Sequence, residues 1–202
     1  MIQLVAITDD QSAPAPPLRA VACDGLTAIC APADEAPTDA ESLWRHEELV
    51  ESLMETRDLL PVRFGTLLPD DDAVAHAVRE RVGQLAGQLE RVRGAIEIAV
   101  RIRDRASSPL SGRGVTSGTD YMRLQAERVR SAQAIHDELS ALARDSTILP
   151  GPELMRAAYL VDRCDVDELV ACVRRLQGAN ADLDLICTGP WPPYSFAEAE
   201  RS

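Results

Sequence analysis

The chain contains no lysine. All 21 of its basic residues are arginine, set against 33 Asp and Glu, for a formal net charge of −12. A uniformly acidic chain repels phosphate backbones and anionic lipid headgroups, which disfavours nucleic acid and membrane surface as partners. No segment approaches the ~20 apolar residues of a membrane span. The opening MIQLVAITDD lacks the basic start and long apolar stretch of a secretory signal, so a cytoplasmic protein is expected. Histidines are few (His46, His76, His136), and the five cysteines (Cys23, Cys30, Cys164, Cys172, Cys187) form no C-x-x-C pair. That leaves no metal-ligand spacing, and buried, reduced thiols are expected instead. The G-x-S-x-G elbow, the P-loop and the G-x-G-x-x-G turn are all missing. The sequence therefore assigns no catalytic residue, no cofactor and no metal.

Aromatic residues are scarce too, at 3% of the chain, yet Trp191, Tyr194 and Phe196 all fall inside TGPWPPYSF (188–196), interleaved with Pro190, Pro192 and Pro193. Consecutive prolines favour polyproline II, a stiff backbone that presents rings with little entropy to lose. Two readings follow. The segment is either a strap over the protein's own sheet or, through its P-x-x-P spacing, a docking peptide for another domain. The preceding strand runs into it without a linker, which favours a strap closing the C-terminal domain.

What is present, at 46% hydrophobic, is enough to bury a core. IQLVAIT (2–8) reads as a strand, and Asp24-Gly25 as the turn of a β-hairpin. Thr38 and Glu41 form a capping box for a helix running to about Asp58, with Leu43, Val50 and Met54 on its inner face. LLPVRFGTLL alternates as a strand over 60–68, and Gly65 within it marks a bulge or a close backbone approach. A single amphipathic helix should follow, buried through Val74, Val78, Val82, Leu85, Leu89 and Val92. Its DDD start (70–72) is a solvated cap rather than a metal site. The histidines read as surface or boundary residues, His76 with Glu80 one turn on.

GAIEIAVRIR alternates next, with Ile96, Ile98, Val100 and Ile102 inward and Glu97, Arg101 and Arg103 outward. After a Gly/Ser/Pro-rich loop (104–118), a helix from Thr119 to Arg144 turns Met122, Val129, Ile135, Leu139 and Leu142 to one side. Two strands flanking Pro150-Gly151-Pro152, a helix from Asp165 and a last strand, ADLDLICT, complete a βαββαβ order. The expectation is an α+β protein of two domains: an N-terminal α+β domain (1–92) and a C-terminal ferredoxin-like domain (93–202) that includes the Pro/aromatic tail. Arg63 either pairs with an acid such as Glu97 across the polar face of the sheet or serves a partner.

LPVRFGT (60–66), GTDYMRLQAER (118–128), AAYLVDR (157–163) and TGPWPPYSF (188–196), in that order, resemble the gas vesicle protein F/L family (GvpF/GvpL). The resemblance covers essentially the whole chain, with the first and last motifs the specific ones. Met122 stands where Leu is commoner after the tyrosine. The resemblance implies an α+β N-terminal domain and a modified ferredoxin-like C-terminal domain. It also implies a non-enzymatic accessory or minor structural role in building gas-filled, protein-walled organelles. The partners it implies are the small hydrophobic shell protein and other accessory gas vesicle proteins, and the location is cytoplasmic, at the vesicle. The motif positions it marks are Arg63, Phe64, Gly65, Thr66, Tyr121, Gly189, Pro190, Trp191, Pro192, Pro193 and Tyr194, as fold-holding or partner-binding residues. A small-molecule-binding or enzymatic ferredoxin-like protein using the Arg63/Glu97 face remains the alternative.

Overall fold

The run Ile2–Thr8 forms β1, and every residue in it is buried, as a strand covered on both faces requires. The computed structural model describes residues 1–33, 40–105 and 118–197, with backbone alone at 118, 120 and 121. β2 (Arg19–Cys23) and β3 (Leu26–Pro32) form the expected hairpin, and its turn residues Asp24 and Gly25 both take positive φ, 48° and 91°. β3 pairs antiparallel with β1. On the other edge of β1 lie β4 (Leu60–Pro61) and β5 (Leu67–Leu68), giving the order β2-β3-β1-β4 with β5 also on β1. The predicted strand 60–68 is thus two short pieces separated by a turn.

Helix α1 (Ala40–Thr56) buries His46, Val50, Leu53 and Met54. Leu43, expected on the inner face, is exposed instead, as is its neighbour Trp44. The Thr38 cap lies outside the described residues. The predicted single helix after residue 68 is also two, α2 (Asp71–Arg79) and α3 (Val82–Val92), because Arg81 leaves helical geometry at φ −123°, ψ 14°. Asp70 caps α2 as expected, accepting from the Ala73 N–H at 2.9 Å. The apolar stripe keeps its period across the break, so Val74, Val78, Leu85, Leu89 and Val92 are still buried.

The chain divides into two compact units, Met1–Gly94 with the tail from Trp191, and Ala95–Pro190. The second runs β6 (Ala95–Asp104), α4 (Gly118–Ser140), β7 (Asp145–Ile148), β8 (Met155–Asp162), α5 (Val166–Ala179), β9 (Leu183–Trp191). Its sheet order, β7-β8-β6-β9, with β8 antiparallel to both neighbours, is the ferredoxin-like arrangement. Ile98, Val100 and Ile102 of β6 are buried together with Ala132, Ile135 and Leu139 of α4 and Leu169, Val173 and Leu176 of α5. Three expectations fail here. Glu97 is buried, because its cross-strand neighbour Leu160 is covered as well. Met122 and Val129 are exposed, because the inner stripe of α4 is set by Ala132, Ile135, His136 and Leu139. His136, read as a surface or boundary residue, is buried and lies 2.9 Å through Nδ1 from the Tyr159 hydroxyl. All five cysteines are free thiols, but only Cys23, Cys30 and Cys172 are buried as expected; Cys187 is half-buried and Cys164 exposed.

Ile98 is buried near the centre of β6, and truncating it removes apolar contact with the core. We expect Ile98→Ala to cost about 2–5 kcal/mol, measured by urea unfolding followed by circular dichroism; a cost under about 1 kcal/mol would contradict this packing.

Candidate functional site

Residues 60–68 do follow β1, but three of them are extruded from the ladder. Val62 N–H donates to Val5 O at 3.0 Å, and Leu4 N–H, one step back along β1, donates to Thr66 O at 2.9 Å. Arg63, Phe64 and Gly65 have no place between those bonds and loop outward. Gly65 takes φ +80°, a conformation that disfavours any residue with a Cβ. Thr66 closes the loop on Arg63 O, through its N–H at 3.3 Å and its hydroxyl at 2.8 Å. The bulge expected at Gly65 is therefore present, while the alternation placing Arg63 and Phe64 on opposite strand faces is not.

A buried histidine holds this turn. The Val62 carbonyl can only accept, so His46 Nε2 carries the proton and donates to it at 2.9 Å; His46 Nδ1 then accepts from the Gln3 side-chain amide at 2.9 Å. The Phe64 ring meets the imidazole edge-on, centroids 5.5 Å apart. Burial lowers the His46 pKa from 6.5, favouring the neutral imidazole that this pairing requires. The expectation of a surface or boundary histidine is thus overturned at His46. The missed signal was its place on the stripe His46, Val50, Leu53, Met54, where a polar residue on an apolar helix face needs partners.

The tail reaches the same place. Polyproline II does not persist. Pro192 and Pro193 are buried, and the chain turns into the short helix α6 (Tyr194–Ala197), with Phe196 and Ala197 N–H groups bonded to Pro193 O. Phe196 is buried, with the Arg91 guanidinium 6.0 Å from its ring centroid. The Tyr194 hydroxyl donates to Glu47 Oε1 at 3.3 Å. Burial raises the Glu47 pKa, and burial beside that carboxylate pushes the Tyr194 pKa up. The tail is therefore part of the first unit, not the closure of the ferredoxin-like domain expected from its position after β9.

Together the turn, the tail and α2–α3 enclose a groove of about 460 Å³. Leu4, Leu60, Val62, Val78 and Leu85 make it apolar, and Arg63, Arg81, Thr66 and Tyr194 supply its polar groups. Two motifs about 130 residues apart in sequence thus converge on one concavity. Gly189 and Pro190 line a different groove, in the second unit, with Ile98, Val170 and Cys187. Tyr121 lies in α4, its side chain outside the description. Arg63 and Glu97 belong to different units, so neither unit alone contains a site with both. Among the described residues no group of three or more His, Cys, Asp or Glu could hold a metal ion. No described helix is long and apolar enough to cross a membrane.

A family model described as gas vesicle synthesis protein GvpL/GvpF matches residues 6–110 and 121–198. Gas vesicle protein F of Streptomyces sp. (strain CB03234) is 32% identical, over 92% of this chain and 90% of its own length. Gas vesicle protein L of the same strain is 28% identical, over 78% of this chain and 69% of its own. The crystal structure of GvpF from Anabaena sp. PCC7120 has the same fold, with a TM-score of 0.82 at 19% identity, covering 99% of this chain and 97% of that one.

The lowered pKa of His46 gives a pH test. As pH falls through about 6.5 the unfolded chain takes up a proton that the folded chain refuses. The stability contributed by neutral His46 is therefore full above about 6.5 and is lost as pH falls toward its lower folded value. The urea midpoint should drop from about pH 7.5 to about pH 5.5, and His46→Asn should flatten that drop while lowering stability overall. Superimposable pH profiles for the two proteins would count against neutral His46 holding the turn.

Proposed function

Because the chain belongs to the GvpL/GvpF family of gas vesicle synthesis proteins, we propose that it is a non-enzymatic accessory or minor structural protein of gas vesicle assembly. In this reading it binds the small hydrophobic shell protein and other accessory proteins during nucleation, in the cytoplasm at the forming vesicle. The observation that carries the reading is the convergence of the LPVRFGT turn and the PWPPYSF tail on one apolar groove. A hydrophobic subunit must be kept from aggregating before it polymerises, and a groove that accepts its apolar side chains does this. The −12 net charge keeps such a complex dispersed. The groove is sized for a few anchoring side chains rather than a whole helix. Arg63 and Thr66 would set its mouth and Tyr194 its wall, with Phe64, Gly65, Trp191, Pro192 and Pro193 holding the turn and tail in place around it. Tyr121, Gly189 and Pro190 would act as fold-holding positions elsewhere.

Co-purification with the shell protein tests this, and Ala77→Trp supplies the variant. Ala77 is half-buried and lines the groove, so an indole there occupies the space meant for a partner. We expect recovery of the shell protein to fall by at least about tenfold, the usual scale for blocking an interface anchor, with circular dichroism unchanged. No association of the unaltered protein at low salt would reject the binding role; undiminished recovery with Ala77→Trp would reject the groove.

A further inference from the structure

Two helices leave apolar side chains in water on faces of opposite charge. On α1, Glu41, Trp44, Glu48, Ser52 and Glu55 are all exposed and follow one another at three- and four-residue steps, so they form one stripe. Trp44 is 70% exposed, in a chain with only two tryptophans, and its neighbours along the stripe are carboxylates. The one arginine beside them, Arg45, is held by Glu41. On α4, Met122, Ala126 and Val129 form a second exposed stripe, Met122 at 67%, and line a shallow groove with Gln125 and Arg130. Arg123 and Arg130 flank that stripe, with Glu127 the single acid between them.

We propose that these faces bind each other between two copies of the chain, α1 of one copy lying in the α4 groove of the next. The fit is one of chemistry and of scale. A thioether and a guanidinium are both favourable partners for an indole face. Glu48 and Glu55 meet Arg123 and Arg130 as charge-assisted pairs. The α1 stripe is about 21 Å long and the α4 stripe about 11 Å at 1.5 Å per residue, so one spans the other. Two copies at −12 each repel on average, so contact occurs where arginines locally reverse the sign. The two faces differ, so the contact is heterologous and repeats from copy to copy, into rings or open chains. The proposal is independent of the shell-protein reading, and its test needs no other protein.

Sedimentation velocity of the purified chain at rising concentration and low salt should show reversible self-association that added salt weakens. Trp44→Ala and Met122→Asp should each weaken it by at least about tenfold, as loss of an interface anchor does, with circular dichroism unchanged because both side chains are exposed. Mixed together, the two variants should form a heterodimer and nothing larger. One variant retains its α4 face and the other its α1 face, so a single contact survives. Glu48→Arg combined with Glu55→Arg in one copy should weaken association in the same way, because like charges then face Arg123 and Arg130 in either register. A chain that stays monomeric at every concentration overturns the proposal. So does association that survives both substitutions, or a mixture that stays monomeric.

Discussion

The first unit depends on keeping one imidazole neutral and buried. β1 can pair with residues 60–62 and again from Thr66, but the residues between them have nowhere to go in the ladder. Their extrusion would leave the Val62 carbonyl unpaired, and an unmet buried acceptor costs about 1–3 kcal/mol. His46 meets it, and Gln3, on the strand being bridged, fixes the tautomer that allows it to. One side chain therefore connects α1, β1 and the turn. Because the next residue, Glu47, receives the Tyr194 hydroxyl, two consecutive positions of α1 hold the two motif segments. The groove exists because the His46–Glu47 pair brings its mouth and its wall together.

This explains how scarce aromatics are used. Phe64 packs on the imidazole, Tyr159 bonds His136, Phe196 is buried beneath Arg91, and Tyr194 reaches Glu47. Each of these rings meets a polar or charged group as well as apolar surface, which fixes orientation more tightly than burial alone. The tail prolines serve the same end differently. Pro193 has no N–H to leave unsatisfied at the start of α6, and its carbonyl receives two of that helix's N–H groups. Stiffness in the tail thus starts a short helix and leads Phe196 into the core.

Much of the fold was legible in the sequence, and its gaps have physical causes. The Asp24-Gly25 hairpin and the βαββαβ order could be read because turn chemistry and period-two alternation are local signals. The α2–α3 break could not, because Val74, Val78, Leu85, Leu89 and Val92 keep one period across it. On α1 and α4 the predicted stripes hold at Val50, Met54, Ile135 and Leu139, but they took in the exposed Leu43, Met122 and Val129 and left out His46 and His136, which complete the buried faces. Periodicity counts apolar residues, and it misleads where a buried polar group has its partners on distant segments. Of the site, Gly65 was readable from its residue type. The tail's destination was not, since nothing local in PWPPYSF says which unit it joins.

Arginine is what connects this acidic surface to the proposed partners. A chain at −12 holds any anionic molecule, including its own copies, at a distance. Approach is then favoured only where apolar surface and positive charge occur together. The groove of the first unit has Arg63 and Arg81 among its lining residues, and the exposed stripe of α4 lies beside Arg123 and Arg130. At both places the guanidinium serves better than an ammonium would, because its planar fork binds carboxylates in pairs and stacks on rings. The apolar atoms supply affinity once contact is made, and the arginines determine where on an otherwise repulsive surface contact can begin.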